Sequence, residues 1–389
     1  MTYRPDIDGL RAVAVLCVVL FHVGTNYSNG GFVGVDVFFV ISGYLITRTI
    51  DREISAGRFS LVAFYERRAR RIFPALFAVL GVTFAAALVL LPPADFLRCA
   101  QSLIATSLFV SNIFFIGEAQ RGLLDGNVPL PLLHTWSLAV EEQFYLIFPL
   151  LLTLLTRRAS RKERIGLLWL LTLASLILST VLVKASPVEA LYLAQSRAWE
   201  LLFGVLLALD ALPDLRARSL REALGIAGLL LIVAGAVLYT TKTPFPGLAA
   251  LPPALGAVLV IASGNGASGD GGKTLVSRLL SSRIAVGLGL ISYSLYVWHW
   301  PIMTMTDLLV GHPLTKLQKV AVVALCIGVA ALSWRYVEGP FRRRGAGAVS
   351  RAPTGTAKTA PAERCLEIAA LGSADPAGAP NRDSHCAPK

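Results

Sequence analysis

Eleven apolar segments run through the chain, and they restrict its fold more than any other feature does. They lie at 10–24, 31–50, 72–92, 96–116, 138–156, 165–184, 191–210, 222–240, 246–263, 285–306 and 318–337. A helix needs about 20 apolar residues to cross the hydrocarbon layer, and only helices and closed barrels satisfy their backbone hydrogen bonds in lipid. We therefore expect an all-α, polytopic membrane helix bundle.

Composition and charge agree with this expectation. The chain is 55% hydrophobic and 15% charged, whereas soluble domains carry about 25% charged residues. Its formal net charge is +12, but the basic residues cluster between apolar segments, as in cytoplasmic loops. We therefore predict the lipid bilayer as a partner and no nucleic acid. No spacing of possible ligands predicts a metal site.

The basic clusters also predict the topology. Those at 67–71 and 157–164 both mark the cytoplasmic side, yet three apolar segments lie between them. Two loops on one side require an even number of crossings. We therefore predict that part of 96–136 is re-entrant or partial, which leaves about ten crossings and a cytoplasmic N-terminus.

Arg11, His22 and Asp36 are ionisable residues in or beside the first two apolar segments, where lipid makes charge costly. His22 lies eleven positions after Arg11, which on a helix is a rise of about 16 Å. A reaction centre inside the membrane would use such a pair. The alternative is that Arg11 snorkels to one interface and His22 lies at the other.

The span that begins near residue 134 carries two adjacent glutamates. The topology predicts that Glu141 and Glu142 lie at the same depth as His22, where a carboxylate could orient an imidazole that acts as a base. Ser137, Glu141 and Tyr145 share one helix face, and Glu142 points about 100° away. The alternative is that one glutamate stabilises the N-terminus of its helix.

A cluster of four arginines lies at 67–71, shortly before Pro74. Arg68 and Arg71 share one helix face, as do Arg67 and Arg70, and such pairs can bind phosphate. Anchoring at the cytoplasmic side is the alternative.

Two further segments carry polar groups within apolar sequence. Arg197 and Glu200 are expected to pair inside the bundle, because unpaired charges there are costly. For His299 we expect a structural hydrogen bond.

An ordered set of motifs accompanies these residues. The first is Asp8-Gly-Leu-Arg11, with ten residues between Arg11 and His22. The next three are Gly34-Val-Asp-Val-Phe-Phe-Val-Ile-Ser-Gly43, Arg71-Ile-Phe-Pro74 and Trp136-Ser-Leu-Ala-Val-Glu-Glu-Gln-Phe-Tyr145. The last three are SRAWELLFG, SYSLYVWHWP and Glu338-Gly-Pro. With them, the chain resembles the acyltransferase-3 family of bacterial membrane O-acyltransferases over about 1–344.

The resemblance implies an acyl-CoA donor, usually acetyl-CoA, that approaches from the cytosol, and a site in the bacterial inner membrane. Arg68 and Arg71 match the family's proposed contact with the CoA phosphates. The acceptor would be a hydroxyl group of a carbohydrate or a similar molecule.

The resemblance also implies roles around the reacting groups. His22 would be the essential histidine and would act as the base, with Arg11 as its basic partner. Glu141 would assist, with Glu142 as the alternative. The substrate or cavity residues would be Asp36, Ser42, Trp136, Glu142 and Arg197.

The domain prediction is a membrane domain at 1–344 and a disordered or truncated tail at 345–389. Many sugar-modifying members continue into an outer SGNH hydrolase-like domain, and we expect none in this tail. The rival function is a transporter of a glycan, lipid or small molecule without covalent chemistry, since intramembrane charges and a re-entrant segment suit it equally well.

Overall fold

A computed structural model describes residues 3–25, 28–123, 129–211, 215, 217–265 and 273–341. The predicted tail at 345–389 lies outside the described residues. Within the described ranges there are fifteen α-helices and no strand. The α-helices are α1 Pro5–His22, α2 Gly34–Ser55, α3 Leu61–Leu90, α4 Pro93–Ser107, α5 Ser111–Gln120, α6 Thr135–Arg158, α7 Arg161–Ala185, α8 Pro187–Tyr192, α9 Ala194–Ala208, α10 Arg218–Leu238, α11 Leu251–Ser263, α12 Leu275–Leu280, α13 Arg283–Leu290, α14 Ser292–Val310 and α15 Lys316–Leu332. Short 3₁₀ turns at Gly31–Val33 and Gly247–Ala250 precede α2 and α11, and a π-helical segment, Ser333–Glu338, follows α15.

Six helical stretches in the described part of the chain are long and apolar enough to cross a membrane. They are Gly31–Ser55, Leu61–Leu90, Thr135–Arg158, Arg161–Ala185, Arg218–Leu238 and Lys316–Phe341. Together with the absence of strands from the described ranges, these stretches confirm the expected all-α, multi-pass membrane bundle. The predicted number of crossings stays a prediction.

The segment at 96–116 is broken into two helices. α4 has 15 residues and α5 has 10, and residues 108–110 separate them. At a rise of about 1.5 Å per residue, neither helix alone spans a hydrocarbon core of about 30 Å. The break lies inside the stretch where the topology predicts a partial or re-entrant segment.

Helices α2 and α9 pack closely because both carry glycine at their contact. A β-carbon on Gly43 would lie 1.9 Å from the backbone oxygen of Leu201, and one on Gly204 would lie 2.1 Å from that of Val40. The two backbones can therefore approach only without these side chains. This packing brings Asp36 of α2 to Arg197 of α9.

We expect Gly43→Ala to lower the free energy of unfolding by about 1–3 kcal/mol or more, because the methyl group must push the two backbones apart. Thermal unfolding in detergent measures the effect. Gly81→Ala is the matched control, since a β-carbon there meets nothing within 4 Å. Equal melting temperatures for the two variants would contradict the packing argument.

Candidate active site

Among the described residues, two cavities contain most of the polar groups that the sequence predicts to be functional. The arginine cavity, of about 240 Å³, is lined by Arg11, Ser42, Arg67, Arg68, Arg71, Ser137, Glu141, Glu142, Tyr145 and neighbouring apolar residues. The histidine cavity, of about 680 Å³, is lined by His22, His134, Trp136, Tyr192, Arg197, Trp300 and residues of the 240–245 loop. Val35 and Tyr296 line both cavities.

The first helix relates the two cavities. Arg11 lies near the start of α1 and faces the arginine cavity, while His22 is the last residue of α1 and faces the histidine cavity. Eleven residues of helix correspond to a rise of about 16 Å. The two cavities therefore lie towards opposite ends of α1, with Val35 and Tyr296 in the wall between them.

Arg68 of the arginine cavity is held by an ion pair and by a contact with an aromatic ring. Its Nη2 lies 3.0 Å from Oε1 of Glu142, and its guanidinium carbon lies 3.3 Å from the centroid of the Tyr145 ring. A stacked guanidinium of this kind has a fixed direction. Arg71 lines the same cavity one helical turn later. The structure therefore brings Arg68 and Arg71 together, as their spacing predicts.

The other two arginines of this helix have partners on the surface. Arg67 binds both carboxylate oxygens of Glu53 at 2.8 Å, and Arg70 binds Glu66 at 2.6 Å. Arg67 still contributes to the wall of the arginine cavity, whereas Arg70 does not.

Glu141 is held within the arginine cavity. Its Oε1 accepts hydrogen bonds from the Ser42 and Tyr145 hydroxyls. Ser137, Glu141 and Tyr145 all line this cavity, which confirms that they share a helix face. Arg11, in the same wall, pairs with Asp8 at 3.2 Å.

His22 has a histidine as its partner. Its Nδ1 lies 3.0 Å from Nε2 of His299, and the two rings stack at a centroid distance of 5.2 Å. The Trp300 ring meets His22 edge-on at 4.6 Å. The expected hydrogen bond of His299 is therefore present, and it is made to the histidine that the sequence singles out.

The predicted grouping of His22 with Glu141 at one depth is not found. Glu141 lies five residues beyond Trp136 on α6, a rise of about 7.5 Å, so it reaches the arginine cavity while Trp136 reaches the histidine cavity. The prediction was wrong because Trp136 and both glutamates were assigned to the same end of their span, whereas the glutamates lie more than one helical turn beyond Trp136 on α6 and line the other cavity.

Asp36, Arg197 and Glu200 form a fully buried ionic cluster. Nη2 of Arg197 lies 2.7 Å from Asp36 and 3.1 Å from Glu200, and all three side chains are 0% exposed. This confirms that Arg197 pairs inside the bundle. Arg197 also lines the histidine cavity beneath Trp136, whose ring centroid is 5.8 Å from the guanidinium carbon. Asp36 lines neither cavity and pairs with Arg197, which lines the histidine cavity.

We expect Arg197→Met to lower the free energy of unfolding by about 3–5 kcal/mol, because it leaves two buried carboxyl groups without their cation. Chemical denaturation in detergent measures this. The control is Arg218→Met, which breaks a loose pair with Glu222 on a half-exposed surface, where about 0–1 kcal/mol is expected. A loss for Arg197→Met no larger than for the control would show that the cluster does not stabilise the bundle.

Sequence reasoning missed two residues of the site. His134 is buried beside His299 with its Nε2 3.2 Å from the backbone oxygen of Val297, and it lines the histidine cavity. The Tyr296 hydroxyl lies 2.5 Å from Oγ of Ser137 and donates to the backbone oxygen of His134. Tyr296 belongs to the SYSLYVWHWP motif, and His134 lies two residues before the motif that begins at Trp136. Polar groups in apolar sequence identify the motifs but do not rank the residues within them.

Within the ranges that the structure describes, no group of three or more His, Cys, Asp or Glu side chains could hold a metal ion.

The family model described as an acyltransferase domain matches residues 4–336. The chain belongs to the acyltransferase-3 family. It is 32% identical over 358 residues to "Peptidoglycan O-acetyltransferase OatA" of Listeria monocytogenes, which covers 88% of this chain and 56% of that protein. It is 31% identical over 368 residues to a Staphylococcus aureus protein named "Putative O-acetyltransferase", which covers 91% of this chain and 60% of that protein.

A third relative is "Putative peptidoglycan O-acetyltransferase YrhL" of Bacillus subtilis, at 32% identity over 368 residues, covering 90% of this chain and 56% of that protein. The chain thus spans less than two thirds of the length of these relatives. No solved structure matches it.

Proposed function

We propose that this protein transfers an acyl group, in the first instance acetyl, from acyl-CoA to a hydroxyl group of a carbohydrate. The observation that carries the proposal is the pair of cavities with a common wall. One offers cationic side chains and the other offers a histidine, and Tyr296 lines both. Family membership and the names of the relatives support the same chemistry.

The arginine cavity is the proposed donor site. CoA phosphates need fixed cations, and guanidinium groups bind phosphate through paired hydrogen bonds. Arg68 and Arg71 supply them, and Arg11 adds a third cation in the same wall. Because Glu142 already pairs with Arg68, the donor displaces Glu142 when its phosphates bind.

The histidine cavity is the proposed acceptor site. Its volume of about 680 Å³ lies within the usual range of small-molecule sites. Trp136 and Trp300 offer flat aromatic surfaces, and the loop residues Thr240 and Thr243 offer hydroxyl groups. Aromatic walls with a few placed polar groups suit a carbohydrate, and the names of two relatives favour a sugar of peptidoglycan.

In the proposed reaction, His22 takes the proton of the acceptor hydroxyl while the hydroxyl oxygen attacks the thioester carbonyl. The carbon–sulfur bond breaks, the acyl group forms an ester with the acceptor, and the CoA thiolate leaves and takes up a proton. A positioned general base accelerates such a step by about 100- to 10,000-fold. In this proposal Glu141 accepts hydrogen bonds from Ser42 and Tyr145 and so holds these side chains in place in the donor site.

The proposed setting is the bacterial inner membrane, with the N-terminus and the arginine cavity on the cytosolic side. Basic residues at the arginine-cavity end of α3 support this orientation. Acyl-CoA would then enter from the cytosol, and the acceptor would meet the histidine cavity.

Purified protein, radiolabelled acetyl-CoA and soluble peptidoglycan fragments test the proposal together. We expect labelled acceptor and an equal amount of free CoA. Uptake of a glycan into proteoliposomes without release of CoA would favour the transporter and contradict the proposal.

A further inference from the structure

The backbone carbonyl of Tyr296, the His299 ring and the His22 ring are linked in a row by hydrogen bonds, and this row determines which nitrogen of His22 carries a proton. Nδ1 of His299 is 2.5 Å from the backbone oxygen of Tyr296, and Nε2 of His299 is 3.0 Å from Nδ1 of His22. Both distances are within the range of a hydrogen bond. The carbonyl oxygen can only accept a hydrogen bond, and this determines which atom is the donor in each of the two hydrogen bonds.

The proton positions are obtained one atom at a time. Nδ1 of His299 carries a hydrogen, because it donates to the Tyr296 carbonyl. In a neutral imidazole the other nitrogen is then an acceptor, so Nε2 of His299 accepts. Nδ1 of His22 must therefore carry the hydrogen of the bond that joins the two rings.

Neutral His299 is the form that this environment favours. Its side chain is 0% exposed, and its ring neighbours are His22, His134 and Tyr296. Among the described residues, the groups that contact its ring nitrogens are an imidazole and backbone carbonyls, and none of them is an anion. A buried imidazolium without a counter-ion would be costly.

We propose that His299 is a positioning residue that holds His22 in its Nδ1-protonated tautomer and leaves Nε2 of His22 as the base. This inference rests on the proposed acyl transfer. His22 lines the histidine cavity, and with Nδ1 committed to His299, Nε2 is the nitrogen that an acceptor hydroxyl meets. His299 itself lines neither cavity, so it acts through His22.

Two variants separate this role from simple packing. The side-chain oxygen of glutamine in His299→Gln can accept the hydrogen from Nδ1 of His22, whereas the leucine of His299→Leu fills the space and accepts nothing. We expect His299→Gln to retain transfer within about tenfold, and His299→Leu to lose on the order of 100-fold in kcat. The KM for acetyl-CoA should stay unchanged in both, because the donor site is elsewhere.

The direct measurement is nitrogen NMR of the full protein in nanodiscs with labelled histidine. The chain has five histidines, and the signal of His22 is identified by its loss in His22→Gln. We expect a protonated Nδ1 and an unprotonated Nε2 in the wild type and in His299→Gln, and a mixture of tautomers in His299→Leu.

A wild-type His22 that is protonated at Nε2 would overturn the inference, as would a His299→Leu variant with wild-type kcat. The tautomer is read without turnover. The expected tautomers in a protein that transfers no acyl group would therefore support the positioning of His22 and contradict the proposed function alone.

Discussion

Replacing His22 with alanine is expected to lower acyl transfer by at least about 100-fold, because the acceptor hydroxyl loses its base. The KM for acetyl-CoA should change little, since the proposed donor site lies at the other end of α1. Transfer of radiolabel from acetyl-CoA to peptidoglycan fragments measures kcat and KM together.

His312→Ala is the matched control for this variant. His312 lies exposed in the turn after α14, and its Nδ1 contacts only the neighbouring carbonyl of Pro313 among the contacts that the structure describes. It should keep the wild-type rate. If His22→Ala also kept that rate, the base would have to be another group of the histidine cavity, and the proposed mechanism would be wrong.

The second large effect is expected at the donor end. Arg68→Gln alone would leave Glu142 without its partner. The variant to test is therefore Arg68→Gln combined with Glu142→Gln, which removes both charges of the pair. Charge-assisted hydrogen bonds contribute about 1.5–3 kcal/mol. We therefore expect acetyl-CoA to bind the double variant roughly 10- to 100-fold more weakly, as measured by calorimetry.

Two comparisons make this result specific. Arg70 lies two residues away, pairs with Glu66 on the surface and lines neither cavity, so the Arg70→Gln variant should bind acetyl-CoA normally. Glu142→Gln alone should bind acetyl-CoA more tightly than the wild type, because Arg68 is no longer occupied. Normal affinity of the double variant for acetyl-CoA would contradict the donor-site proposal and would favour the alternative that Arg68 only anchors its helix at the cytoplasmic side.

The fold class was predictable because lipid leaves few options for the backbone. Long apolar segments specify helices, and the interruption of 96–116 is visible in its polar residues and in the parity of the basic loops. The pairing of Arg197 inside the bundle was predictable for the same reason, since a charge in lipid needs a partner.

The partners within the site were much harder to predict. His22 meets a residue 277 positions away, and Arg68 meets one 74 positions away. Such contacts depend on how the helices cross, and the glycines that set one crossing, at Gly43 and Gly204, look like any other glycine in an apolar segment. Helical periodicity gives the face of a residue but not the neighbour across it, so Glu141 was predicted beside His22 although it lines the arginine cavity.

The most direct test of acyl transfer between the two cavities uses sealed proteoliposomes. Radiolabelled acetyl-CoA is supplied outside only, and peptidoglycan fragments are enclosed inside. Molecules oriented with the arginine cavity outward should label the enclosed acceptor and release an equal amount of CoA outside, and His22→Ala should abolish both. Labelling that occurs only when donor and acceptor are on the same side of the membrane would contradict the proposed path from one cavity to the other.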